Sequence, residues 1–287
     1  FISYIISVIG ILGILVFIVN LITTNIAEVV KAAPAYEKNL ERIVESGFDL
    51  LNLETAADQR QLFQDINISM LISRIAAALT SLVGNLGLIF IYIFFIFLEQ
   101  KYFHRKLMAL VVEDAKFEEM MQLFSRLDRD VRTYVGIKTL VSAATGILGY
   151  VVMSFVGLDY AEFWAFLLFI FNYIPNIGSL IASIMPSLLA LIQFDTLTPF
   201  IIVAAGIVSV QMIMAYFVEP RLMGDSLNMS PLVIILSLVL WGTMWGIPGM
   251  FLCVPLTVIF TIILSHFPKT RPIAILLSKE GHITYGE

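Results

Sequence analysis

The sequence predicts an all-α polytopic membrane protein, in which spanning helices alternate with two Pro/Gly-broken, re-entrant helical hairpins in inverted arrangement, together with an extramembrane helical segment. Three observations predict it. The 287 residues are 59% hydrophobic and 14% charged, where soluble domains sit near ~45–50% and ~25%, and the mean hydropathy is +0.93. Charge-free apolar runs reach the ~20 residues that a spanning helix needs. No Lys or Arg occurs from Thr139 to Pro220, which keeps most of that stretch out of water.

The elements follow in order. Residues 1–20 (FISYIISVIGILGILVFIVN) form the first expected span. The run opens without an initiator Met or a basic leader, so it reads as a transmembrane helix whose upstream spans are missing, not as a signal peptide. Residues 21–74 carry eight acidic and five basic residues. Their apolar positions, among them Leu40, Ile43, Val44, Leu51 and Ile66, fall largely at helical spacing. They are expected to form an extracytoplasmic helical segment, either a solvated connector or a subunit contact. Residues 75–98 are uncharged and make the second span. Residues 99–136 are charged again, and Phe117, Met120, Met121, Phe124, Leu127, Val131 and Tyr134 recur at steps of three and four. That spacing is one apolar face of cytoplasmic amphipathic helices, used for packing or for lying on the membrane surface.

Residues 137–265 are the expected transport core, built as span, hairpin, span, hairpin. The 99–138 stretch holds eight Lys/Arg, and cytoplasmic loops carry such an excess. The span 137–156 then leads out to Asp159 and Glu162. Residues 163–193 are broken at Asn172–Gly178 into arms of about 10 and 15 residues, each short of a spanning helix. A single kinked crossing and a re-entrant hairpin both fit that pattern. The hairpin leaves Asp159, Glu162 and Asp195 outside and, after the span 196–218, puts Arg221 inside, which charge favours. Residues 230–265 break again at Trp245–Gly249. Arg221 before this second hairpin and Lys269, Arg271 and Lys279 after it place both its ends, and the tail 266–287, in the cytoplasm. Two such units in opposite orientation are the layout of secondary transporters, with substrate sites near the break tips.

Backbone left unpaired in lipid costs several kcal/mol per group, so such breaks belong where they are buried in protein or line a wet cavity. In NYIPNIG, Pro175 removes a donor, Gly178 permits unusual dihedrals, and Asn172, Tyr173 and Asn176 bring polar groups to the same place. That chemistry suits a polar, uncharged solute; the competing reading is a kink whose Asn side chains cap freed backbone. In WGIPG, Gly246, Pro248 and Gly249 offer backbone groups, with Thr243 beside them. Gln211 lies within an apolar span, as polar glue or as part of the solute path. In FVEPRLMG, Glu219 and Arg221 flank Pro220 at a membrane boundary. Glu219 could pair with Arg221, cap a helix, or couple transport to an ion.

Other classes find no support. The net charge of −5 disfavours a nucleic-acid partner. A lone cysteine, Cys253, makes neither a disulfide framework nor a thiolate metal site. There is no phosphate-binding GxxxxGK[ST] loop, no HExxH and no GxSxG, so no cofactor, metal or enzymatic activity is expected.

At NYIPNIGSLIASIMP, at EPRLMGDSLNMSPLVIILSLVLWGTMWGIPGMFLCVPLTVI and at the tail motif IAILLS, the chain resembles the autoinducer-2 exporter (AI-2E) family of bacterial inner-membrane proteins. The motifs keep the family's order and relative spacing, and residues 21–74 match in layout only. The resemblance implies two further hydrophobic segments upstream and a multi-pass protein of the bacterial inner membrane with a cytoplasmic C-terminus. It implies export of the small polar furanone-type signal autoinducer-2 (AI-2), and for some members sodium/proton antiport. It brings no settled list of working residues. The expected activity is therefore export of a small polar metabolite by alternating access, with proton or sodium as coupling partner. The alternatives are a sodium/proton antiporter and a non-transporting membrane scaffold. The lipid bilayer is the obligatory partner, and the apolar stripes make a homo-oligomer the expected assembly.

Overall fold

The computed structural model describes residues 2–50, 114–224 and 229–279, with single positions between 70 and 106 and Gly281. Among them there is helix and no strand. The helices are α1 (Ile2–Leu50), α2 (Asp114–Val156), α3 (Ala161–Phe171), α4 (Ile177–Gln193), α5 (Leu197–Ile213), α6 (Glu219–Met223), α7 (Pro231–Trp245), α8 (Ile247–His266) and α9 (Arg271–Leu277), with a π-helical turn at Met214–Val218 between α5 and α6. Four described stretches are long and apolar enough to cross a membrane: Val16–Tyr36, Phe117–Val156, Leu197–Met223 and Ile247–His266. Helices α3, α4 and α7 are apolar but shorter. The protein is thus an all-α polytopic membrane protein. Most of the expected span 75–98, and much of 51–113, lies outside the described residues.

Two expected junctions fall inside unbroken helices. The boundary at 20/21 lies within α1, which continues through Pro34 to Leu50. The boundary at 136/137 lies within the 43-residue α2. Composition changes at both places, but nothing there removes a backbone donor or demands a non-helical dihedral, so the helix carries on.

The chain forms two compact units. One gathers α1 with residues 158–163 and 188–200. Here Tyr36 Oη donates to Asp159 Oδ2 at 3.1 Å, and Arg42 pairs with Asp195 at 2.8 Å. The backbone N–H of Asp159 donates to Gln193 Oε1 at 2.8 Å. The residues just before α3 and at the end of α4 are therefore held together, and the segment between them folds back on itself as a helical hairpin.

The second unit gathers residues 111–157, 164–187 and 201–287. Its core joins Tyr134, Ile174, Met223, Val233, Cys253 and Ile262, with Leu123, Leu127 and Phe251 packed against them. The stripe read along 117–134 is the less exposed face of that helix, and Tyr134 is buried. Further along α2 the pattern is inside out. Lys138, Ser142 and Thr145 are buried, while Leu140, Ile147, Val151 and Phe155 face outward. Water as solvent would reward the opposite arrangement; a lipid solvent removes that reward. Helix α5 crosses α2 closely, since a Cβ on Gly206 would lie 2.6 Å from Val152 Cγ1.

Candidate functional site

The two hairpin breaks use one packing device. Helix α3 ends at Phe171, and the chain turns through Ile174 N–H donating to the Phe171 carbonyl at 2.9 Å. Ile174 precedes a proline, which disfavours helical dihedrals there, and Pro175 has no N–H to continue the ladder. Asn176 takes a left-handed φ of 57°, which Asn tolerates better than most residues. Its carbonyl then starts α4 by accepting from Leu180 N–H at 3.1 Å. Gly178 lies directly on the preceding helix, where a Cβ would come within 1.9 Å of the Phe171 carbonyl oxygen. In the second break Gly246 supplies the left-handed residue, at φ 67°. Pro248 sits in the first turn of α8. Gly249 repeats the close approach, a Cβ there falling 1.9 Å from the Trp241 carbonyl oxygen.

Polar groups gather at the first break. Lys138, Ser142 and Thr145 recur at i, i+4 and i+7 on α2 and so share one face. Asn172 is buried, and its amide donates to Ser142 Oγ at 3.0 Å. It bonds a neighbouring helix and does not cap its own backbone. Tyr173 Oη lies 2.7 Å from Thr139 Oγ1. The Thr139 proton goes to the Val135 carbonyl at 2.6 Å, so Tyr173 is the donor and keeps its own lone pairs. The Tyr173 ring stacks on Phe251 of α8 at 6.1 Å.

Glu219 pairs with Lys138, not with Arg221. Lys138 Nζ donates to Glu219 Oε1 at 2.6 Å, with the side chains 8% and 21% exposed. Lone charges at this depth would be expensive, and breaking one partner away from a buried pair costs ~3–5 kcal/mol. The π turn places the carboxylate. Glu219 N–H bonds the Met214 carbonyl, one residue further back than an α-helical bond. The widened turn relieves the clash that the Pro220 ring would otherwise make with the preceding turn. Such π turns often mark functional positions. Pro220 and Arg221 themselves are exposed.

The remaining expected residues are spread out. Gln211 Nε2 is buried without a hydrogen-bond partner. Pro175 is half-buried, and Asn176, Gly246 and Pro248 are exposed. Thr243 is exposed and spends its hydroxyl on the Leu240 carbonyl at 2.9 Å. The residues that sequence reading passed over are Lys138, Thr139, Ser142 and Thr145. Lys138 had a signal, being the last cation before the Lys/Arg-free stretch, and the i, i+4, i+7 recurrence of polar residues within an apolar helix was another.

Among the described residues, no group of His, Cys, Asp and Glu is arranged to hold a metal ion. What the arrangement offers is a set of neutral donors and acceptors beside one buried ion pair, inside helices that face lipid.

Comparison with known proteins agrees with this chemistry. The family model described as "AI-2E family transporter" matches residues 1–269. A Haemophilus influenzae protein named only as a candidate transport protein is 31% identical over 269 residues, covering 91% of this chain and 77% of the relative. The AI-2 transport protein TqsA of Escherichia coli is 30% identical over 255 residues, covering 88% and 73%. Another E. coli relative, YhhT, is 28% identical over 266 residues, covering 91% and 74%. Broken helices, a polar stripe turned away from lipid and a match over nearly the full length converge on one assignment: the chain belongs to the AI-2E family of membrane transporters.

Proposed function

We propose that this transporter moves a small, uncharged, polar metabolite such as AI-2 out of the cell by alternating access, through a path lined by the first hairpin break and α2. The observation that carries this reading is the hydrogen-bonded set Asn172–Ser142 and Tyr173–Thr139 on the buried face of a membrane helix. A hydroxyl-rich solute can exchange into those bonds without a charge being stripped of water. The unpartnered amide of Gln211 supports the same role, since an orphan buried donor costs ~1–3 kcal/mol and a passing solute would relieve it.

Both hairpins are read as re-entrant and entering from opposite sides. The bond between Asp159 and Gln193 supports this for the first, because a crossing segment would separate its ends by ~30 Å. Asp159 and Asp195 are then extracytoplasmic, and Arg126, Lys269, Arg271 and the C-terminus cytoplasmic, in a bacterial inner membrane. The test is efflux of AI-2 from proteoliposomes. Ser142→Ala with Asn172→Ala should lower the rate about tenfold or more while the protein stays folded; an unchanged rate refutes the binding role.

A second reading, sodium/proton antiport, is favoured by the Lys138–Glu219 pair. It predicts a sodium-dependent proton flux that Glu219→Gln abolishes, whereas a neutral solute carrier has no such flux to lose. The scaffold reading has less support, because the 117–134 stripe is half-buried within the chain and so offers less surface to a partner.

A further inference from the structure

A cavity of about 230 Å³ lies away from the solute path, between the N-terminal part of α2 and the turn that joins α8 to α9. Its polar lining comes from Glu119, Arg126, Ser265, His266 and Arg271. Two guanidinium groups and an imidazole thus meet one carboxylate. That carboxylate already faces the imidazole, with Glu119 Oε1 3.4 Å from His266 Nε2. The hydroxyl proton of Ser265 is committed to the Ile262 carbonyl at 2.7 Å. Arg126 and Arg271 therefore set the sign of the cavity, and it selects an anion.

Guanidinium forks match the oxygens of a phosphate in paired hydrogen bonds. The volume is below the ~300–1,000 Å³ of pockets for drug-sized ligands, so the ligand group is small. Its position says which small anion. Glu119 and Arg126 stand at one end of the candidate span Phe117–Val156, and Ser265 and His266 end the span Ile247–His266. The cavity is therefore at a membrane boundary. Beside it Phe267, Ile273 and Leu276 are exposed, Leu276 by 79%. Apolar side chains next to a cationic cavity at that level fit a molecule with an anionic head and apolar tails. Basic pockets between membrane helices are a known way of holding anionic lipid head groups.

We propose that this cavity binds the phosphate of an anionic phospholipid, with Arg126 and Arg271 as the ligating residues and the acyl chains lying over Phe267 and Leu276. The lipid would tie the long α2 to the end of α8.

The test uses the purified full chain in detergent, with phosphatidylglycerol, phosphatidylcholine or inorganic phosphate added, read by thermal unfolding and by counting retained lipid with native mass spectrometry. Phosphatidylglycerol should be retained and should raise the unfolding temperature; phosphatidylcholine should do neither. Arg126→Gln and Arg271→Gln should each weaken retention about tenfold, as expected for losing a charge-assisted bond. Glu119→Gln, which removes the opposing carboxylate, should strengthen it and keeps the test decisive if an arginine variant fails to fold. Equal retention of both lipids overturns the proposal, as does full retention in the folded arginine double variant. Stabilisation by inorganic phosphate but not by phosphatidylglycerol overturns the lipid assignment in favour of a soluble phosphate.

Discussion

The two broken hairpins share a backbone and differ in what they display. In each, a glycine presses on the carbonyl of the helix before it, Gly178 on Phe171 and Gly249 on Trp241, at the same 1.9 Å for an added Cβ. In each, a left-handed residue, Asn176 or Gly246, reverses the chain next to a proline. The first break then carries Asn172 and Tyr173, both bonded to α2. The second bonds mostly to itself: Trp241 Nε1 donates to Thr257 Oγ1 at 3.0 Å across its own arms, and Thr257 donates onward to Cys253. A common fold device thus serves one hairpin that reaches its neighbours through polar side chains and one that seals its own arms. The difference places solute chemistry on the first hairpin and leaves the second a packing role.

Four substitutions press on that comparison, in falling order of effect. Gly178→Ala and Gly249→Ala should be the most damaging, each by ~3 kcal/mol or more, since overpacking against backbone exceeds the usual ~1–3 kcal/mol for a yielding core. Folded yield and thermal unfolding read this out, and tolerance at one site only would end the idea of a shared device. Lys138→Met should cost ~3–5 kcal/mol by stranding Glu219, and the double change Lys138→Met with Glu219→Leu should recover most of it. If the double variant is folded but silent in flux, the pair serves transport as well as stability.

Tyr173→Phe and Trp241→Phe make the sharpest contrast, because each deletes one hydrogen bond worth ~1 kcal/mol. Stability should fall alike in both. Efflux should fall several-fold only for Tyr173→Phe; equal losses would erase the functional division between the hairpins. Thr243→Val should change stability by less than ~0.5 kcal/mol and leave flux intact, its hydroxyl being spent on its own helix. A large flux defect there would move part of the solute path to the second hairpin.

Much of this was legible along the chain. The residues of both breaks announce themselves, since Pro175, Gly178, Pro248 and Gly249 interrupt apolar runs where only helix can pair its backbone. The apolar stripe from Phe117 to Tyr134 was readable because periodicity is local. The composition shifts at 20/21 and 136/137 looked like element boundaries but mark only changes of surroundings along helices that continue. A helix stops where a donor is lost or a dihedral forbidden, and charge alone does neither.

The sequence by itself determined the helical membrane class, the positions of the two breaks, and Glu219 as an ionisable group at a membrane edge. Only the tertiary structure decided which charge answers it. Arg221 is its neighbour in the chain, yet Lys138, 81 residues away, is its neighbour in space. The structure likewise turned Asn172 toward Ser142 and drew Asp159 to Gln193. The reason is that local patterns report how a segment pairs its own backbone, whereas a buried charge or amide must find its partner on whatever helix the packing brings within about 3 Å.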